Sequence, residues 1–240
     1  MALTAMAVMD QVAAFGYGLA YEAVVRGFRP YEELLEEIVA RIGRALPAGL
    51  SPASTRVLDA ACGTGTLARR LARAGYDVVG IDGVARLVEI ARATPIDPSG
   101  RRLTYRHLDL SREAIPSGDC YNVVVSLHTL YWHPDPAGFL AGCRRALTEG
   151  GHALFLTYAH APRVVSTFRA VRARGGLADG IRALRWLVPT AAFEALRSGE
   201  RRYLSPGEFH ALLGGAGFRV LESARTFLGQ ISLLAWTSRV

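Results

Sequence analysis

Short apolar runs alternate with helix-periodic ones through the middle of the chain. Arg56–Asp59 reads as a strand, and Thr66–Ala74 as a helix that Gly75 ends. Tyr76–Asp82 is a second strand of buried type, and Val84–Ala93 is amphipathic, with Leu87, Val88 and Ala91 on one face. Pro95, Pro98 and Gly100 mark a loop. Leu103–His107 reads as a third strand, Tyr121–Leu127 as a fourth and Ala153–Thr157 as a fifth. A helix over Ala137–Leu147, stopped at Gly150-Gly151, separates the last two. Near-continuous apolar strands alternating with helices predict an α/β fold whose sheet is mostly parallel, with helices on both faces.

The flanks are less regular. Two helices are expected before the sheet, about Met6–Val25 and Tyr31–Leu46. After it, Ala161–Arg202 reads as helical pieces broken by Gly175-Gly176 and Pro189. Ser205, Pro206 and Glu208 form a capping box that opens a helix ending at Gly217. Two final β-runs, Phe218–Thr226 and Ile231–Ser238, joined across Gly229-Gln230, predict an antiparallel hairpin. The 240 residues suit one domain: an N-terminal helical cap (1–50), a core (51–160), a helical insertion (161–203) and a C-terminal helix and hairpin (204–240).

Composition changes this picture in three ways. No apolar run is long enough to cross a bilayer. The N-terminal apolar stretch lacks a basic leader and carries Asp10, Gln11 and Glu22, so a cytoplasmic protein is expected. The three cysteines fit no disulfide framework and no metal-ligand spacing, so no metal is expected. All 28 basic side chains are Arg, which excludes a Schiff-base lysine and a Walker-type phosphate loop. The formal charge of +7 is uneven: from Arg163 to Arg202, nine arginines face Asp179, Glu194 and Glu200, about +6 in that segment alone.

Gly63-Thr64-Gly65-Thr66-Leu67-Ala68 follows the first strand and opens a helix. That arrangement places a nucleotide at the C-terminal edge of a doubly wound sheet. The G-x-G-x-x-A spacing also suits a dinucleotide. Asp59, four residues before Gly63, helps to choose. A carboxylate repels a pyrophosphate, whereas S-adenosylmethionine carries a sulfonium and an ammonium group that an acceptor-only side chain suits. Asp82, ending the second strand, is placed to accept ribose hydroxyls, with a turn cap as its bland alternative. Asp109, after the third strand, is placed to accept from an adenine amino group, or to cap a short helix.

At this point the chain resembles the class I S-adenosylmethionine-dependent methyltransferases, in particular the small-molecule, ubiquinone/menaquinone-methyltransferase-like group. Val57–Gly65 resembles motif I, with Ala61 in place of its usual first glycine. Val79-Gly80-Ile81-Asp82 resembles motif II, Leu108-Asp109-Leu110 the adenine segment, and Cys120–Leu127 the fourth-strand motif. Arg145–Gly151 resembles the entry to strand five, Ser205–Phe218 the C-terminal segment and Phe15–Tyr31 the N-terminal helix. Asn122 stands where the family often has Asp, and Gly83-Val84-Ala85 replaces a frequent hydrophobic-Ser-Pro. The resemblance implies a Rossmann-like sheet of seven strands with the N-terminal helices and the insertion as lid. It implies S-adenosyl-L-methionine as cofactor, S-adenosyl-L-homocysteine as product, and Tyr21, Asp59, Ala61, Gly63, Gly65, Asp82, Asp109, Leu110 and Ser126 as cofactor-binding positions.

The segment after strand four should lie beside the transferred methyl group. His128 and His133 are the candidate general bases there, and each also suits plain packing. Tyr131, Trp132 and Tyr158 are candidates to line the acceptor site. The arginine-rich insertion is either a solvated lid face or a surface for an anionic or membrane-resident acceptor, making a peripheral anionic membrane contact through 163–202. Nucleic acid is disfavoured, because no RNA-binding module and no "[DNS]-P-P-[YFW]" motif is present. A small-molecule acceptor leads. A nucleic-acid or protein methyltransferase, an NAD-binding oxidoreductase and a non-catalytic cofactor-binding protein are the competing readings.

Overall fold

A computed structural model describes residues 28–46, 48–95, 102–110, 112–113, 120–161, 164–196, 203–228 and 230–240, with the backbone alone at 190 and 192–196. The elements in chain order are α1 (Arg29–Ala45), β1 (Arg56–Ala60), α2 (Thr66–Arg73), β2 (Asp77–Asp82), α3 (Ala85–Ala93), β3 (Leu103–His107) and β4 (Tyr121–Leu127). They continue with α4 (Pro136–Ala146), β5 (Leu147–Tyr158), α5 (Val164–Leu196), α6 (Pro206–Gly215), β6 (Phe218–Thr226) and β7 (Ser232–Arg239). The helix expected over Met6–Val25 lies outside the described residues.

The seven strands run in the order β3-β2-β1-β4-β5-β7-β6. β1 to β5 are mutually parallel, and β7 enters antiparallel between β5 and β6. The order reverses between β1 and β4, so their C-terminal ends flank a crevice, the customary ligand position of such sheets.

Side-chain alternation along each strand divides the core into two layers. Val57, Val78, Val123, Val125, Leu154 and Leu156 face one side, which α1, α2, α3 and part of α5 cover. Leu58, Val79, Ile81, Val124, Ala153 and Phe155 face the other, covered by α4 and α6. Both helix starts on that second face are capped. Asp135 Oδ1 accepts from the Gly138 N–H at 2.8 Å, and Ser205 and Glu208 form the expected capping box.

Two elements differ from the sequence expectation. β5 begins at Leu147, directly after α4, rather than at Ala153; Gly150, with φ +69°, lies inside it where the register against β4 shifts between Tyr121 and Val123. In α5 the break at Gly176 is present, with φ +82° and ψ −178°, but Pro189 lies within continuous helix. Trp186 and Leu187, both buried, anchor the turn that precedes the proline, so packing offsets the lost N–H donor. Among the described residues no helix is long and apolar enough to cross a membrane.

Candidate active site

The glycine segment forms a tight left-handed passage between β1 and α2. Ala61, Gly63 and Gly65 have φ of +61°, +55° and +78°. Two supports hold it. The Cys62 N–H donates to the Ile81 carbonyl at 2.9 Å, and the Gly63 N–H donates to Asp82 Oδ2 at 2.8 Å. Asp82 Oδ1 accepts from the Val84 N–H, also at 2.8 Å, so this one carboxylate ties the glycine loop to the turn after β2. Beneath the loop lies Tyr105 of β3. A Cβ on Gly65 would come within 2.3 Å of its hydroxyl, and one on Gly80 within 2.7 Å of its ring. Sequence reading missed Tyr105; its only trace was the pair of small residues that make room for it.

Asp59 is buried at the end of β1, and among the described residues its Oδ2 has no hydrogen-bond partner. Burial pushes its carboxyl up to about 7, and the neighbouring charge of Asp82 adds to the rise. The Ala68 backbone N–H, in the first turn of α2, and the Arg69 guanidinium pull the other way. Asp82 is raised by burial against its two backbone donors, and Asp109 raises it further. Asp109 Cβ lies 3.5 Å from where a Gly83 Cβ would stand, so three carboxylates meet at one crevice. Such a cluster repels a pyrophosphate and suits a cation. The unpartnered, buried oxygen of Asp59 is the strongest single mark of that preference.

The remaining cofactor-binding candidates divide by geometry. Ser126 is buried, and its hydroxyl donates to Thr129 Oγ1 at 3.1 Å. Leu110 buries its side chain in the core, and its carbonyl passes close under Gly142 of α4. Asp109 carries its own ion pair to Arg112 at 3.5 Å. Tyr21 lies outside the described residues. Asn122, the departure from the family's Asp, accepts from the Arg56 N–H at 2.8 Å and so ties β4 to the start of β1.

Beyond β4 the chain builds an aromatic wall. His128 takes a left-handed conformation, φ +52°, fixed by its N–H to the Leu156 carbonyl (2.7 Å) and by the Trp132 indole N–H to its own carbonyl (2.9 Å). Its ring stacks on Tyr158 at 3.9 Å and 11°, and Phe227 approaches at 5.7 Å. Nε2 lies 2.9 Å from the Ser232 hydroxyl. The residue as a whole is half-buried, and burial pushes the imidazole down to about 3, so it is neutral at physiological pH. Tyr131 packs edge-on against Tyr158 and stacks on Tyr203. Phe227 also meets Tyr31 of α1 and Trp186 of α5, and Trp186 stacks on Phe28. Ser232, Phe227, Trp186 and Tyr203 had no local sequence signal, because each reaches the site through tertiary packing.

His133 sits apart from this stack. Its Nδ1 accepts from the Asp135 N–H at 3.0 Å, and its ring tilts against Phe139 of α4 at 5.1 Å.

A mostly parallel sheet with this strand order and a glycine passage at its reversal point is the architecture of a nucleotide-binding α/β protein, and the buried carboxylates around the passage suit a cationic ligand. The chain belongs to a methyltransferase-domain family, whose profile matches residues 27–223. It is 34% identical over 118 residues to a ubiquinone biosynthesis O-methyltransferase of Cereibacter sphaeroides, a stretch that covers 49% of this chain and 47% of that one. To the Vibrio cholerae enzyme of the same description it is 35% identical over 102 residues, 42% and 41% of the two chains. The chain thus spans about half the length of these relatives or less. Among solved structures it is similar to a putative methyltransferase in complex with the Haloferax volcanii Trm112 activator (TM-score 0.64, 17% identity, 95% and 96% coverage). A second is the magnesium protoporphyrin IX methyltransferase of Synechocystis PCC 6803 with bound S-adenosylhomocysteine (TM-score 0.56, 19% identity, 88% and 84% coverage). At these identities the structures support the fold.

Proposed function

We propose that the protein is an S-adenosylmethionine-dependent methyltransferase acting on a small-molecule acceptor. The observation that carries this reading is the buried Asp59 carboxylate with its unpartnered oxygen beside the glycine passage. In this reading Asp59 receives the cationic methionine end, Ala61, Gly63 and Gly65 let the backbone pass close to it, and Asp82 receives the ribose. Asp109, Leu110, Ser126 and Tyr21 complete the cofactor side. The cofactor supplies an activated methyl group on sulfonium, displaced in line by the acceptor. The protein's own task is then to place the acceptor and exclude water.

Of the two candidate histidines, we assign the acceptor contact to His128, which is partly accessible within the aromatic wall with Tyr131, Trp132 and Tyr158. His133 has one nitrogen committed to the chain and takes the lesser part. The wall suits an apolar or aromatic body carrying a polar methyl-accepting atom, which agrees with the acceptor class that the relatives' names describe.

One surface observation supports a peripheral contact with anionic membranes. Past Gly176, α5 exposes Leu177, Ile181 and Val188 along one stripe, each more than half accessible, with Arg182 and Arg185 beside it. An apolar stripe flanked by arginines matches an interfacial helix, and would bring a lipophilic acceptor to the lid. We place the protein in the cytoplasm; its three free cysteines support a reducing compartment.

Mass-spectrometric detection of S-adenosylhomocysteine, in a panel of phenols, organic acids and quinol analogues with S-adenosylmethionine present, tests the reading. Acceptor-dependent product is expected. Cofactor binding without product from any class, nucleic acid and protein included, would point to a binding protein instead.

A further inference from the structure

The pairing of His128 with Ser232 bears on which acceptor the site takes. Ser232, the first residue of β7, is fully buried, and among the described residues its hydroxyl has one polar partner, His128 Nε2 at 2.9 Å. A buried hydroxyl hydrogen without an acceptor is costly, so the hydroxyl donates and Nε2 accepts. The neutral ring then carries its hydrogen on Nδ1. That nitrogen has no partner among the described residues.

A histidine that serves as a base is commonly backed by a carboxylate, which steadies the cation it becomes. Among the described residues the groups against this ring are Tyr158, Phe227 and Ser232. Among the described residues none is a carboxylate, and the one polar group on the ring donates to it. The left-handed backbone at His128 is held by two further hydrogen bonds, the Tyr158 stack sets the plane of the ring, and turning the ring over would break the bond to Ser232.

Resting on the methyltransferase reading above, we propose that His128 meets the methyl acceptor as a hydrogen-bond donor through Nδ1–H, locked in that tautomer by Ser232, and that the accepting atom is an oxygen that arrives already anionic. A small organic acid or an acidic phenol has that chemistry. A lone pair of the anionic oxygen forms the O–CH3 bond as the S–CH3 bond of the sulfonium donor breaks, and the electron pair of that bond stays on sulfur. Anion and cation become neutral ester or ether and neutral thioether, with no proton released and no base required. An apolar, aromatic wall favours such charge recombination, because separated charges are poorly solvated beside it. Ser232 is a positioning residue here, and His128 touches the reacting oxygen.

The test uses the full chain labelled with 15N-histidine, with His128 assigned by its loss in His128→Gln. Two-bond nitrogen–proton correlations report the tautomer. The wild type is expected to show Nδ1–H alone, Ser232→Ala a mixture of both tautomers, and Ser232→Thr the wild-type form. In the protein loaded with S-adenosylhomocysteine, benzoate is expected to move the Nδ1 resonance and to bind at least about tenfold tighter than benzyl alcohol. An Nε2–H wild type, an unchanged Ser232→Ala spectrum, or equal binding of the two probes overturns the proposal. Failure to bind S-adenosylhomocysteine would instead overturn the methyltransferase reading, and the tautomer result would stand apart from it.

Discussion

Asp59 shows how a single side chain can be costly to the fold and necessary to the site. Its carboxyl sits at about 7 in the folded chain against about 4 for an unfolded one. Between those values the folded state keeps a proton that the unfolded state has lost, so stability falls as pH rises from about 4 to about 7 and stays reduced above it. Asp59→Asn removes the buried charge while keeping the shape. It is expected to raise the melting temperature of the ligand-free protein at pH 8, by a free energy on the order of a few kcal/mol. The same variant should bind S-adenosylhomocysteine at least about tenfold more weakly. A variant less stable than wild type at pH 8 would show that Asp59 is held by partners rather than strained by burial. His128→Ala belongs at this scale too. Turnover should drop at least about tenfold with cofactor affinity retained, and an unchanged rate would remove the residue from the mechanism.

The strand-to-helix passage of β1 and α2 separates two roles that glycine plays. At Gly63 an added Cβ meets open space, so Gly63→Ala carries only the penalty of its left-handed φ, about 1 kcal/mol in a denaturant melt. Its main effect should appear in calorimetry, as a large loss of cofactor affinity. At Gly65 the Cβ meets the Tyr105 hydroxyl, so Gly65→Ala should destabilise by about 2 kcal/mol or more. Equal melts for the two variants would contradict the placement of Tyr105 beneath the loop. This element was legible in the sequence because strand period, glycines and helix start are neighbours in the chain. The same holds for the helix break at Gly176. Other parts were not legible, because their causes are distant in sequence. His128 and Ser232 are 104 positions apart, and Pro189 stays helical because buried Trp186 and Leu187 hold the turn before it. Asn122 looked like a departure until its bond to the Arg56 N–H, across the β1–β4 pairing, gave it a task.

For the molecule as a whole, the sheet order gathers three carboxylates at one crevice and an aromatic wall beside it, while α5 turns an arginine-flanked apolar stripe outward. Co-sedimentation with vesicles rich in anionic phospholipid tests the outward face. Binding at low ionic strength is expected, weakened by salt and lost in Leu177→Asp/Ile181→Asp. No binding at low salt would leave α5 as a solvated lid. The crevice itself is tested most directly by calorimetry of the ligand-free protein with S-adenosylhomocysteine and NADH in parallel, above and below pH 7. The account predicts that S-adenosylhomocysteine binds, more tightly and with less proton release above pH 7 than below it, and that NADH gives no heat. Binding of NADH, or S-adenosylhomocysteine affinity that Asp59→Asn leaves unchanged, would contradict it.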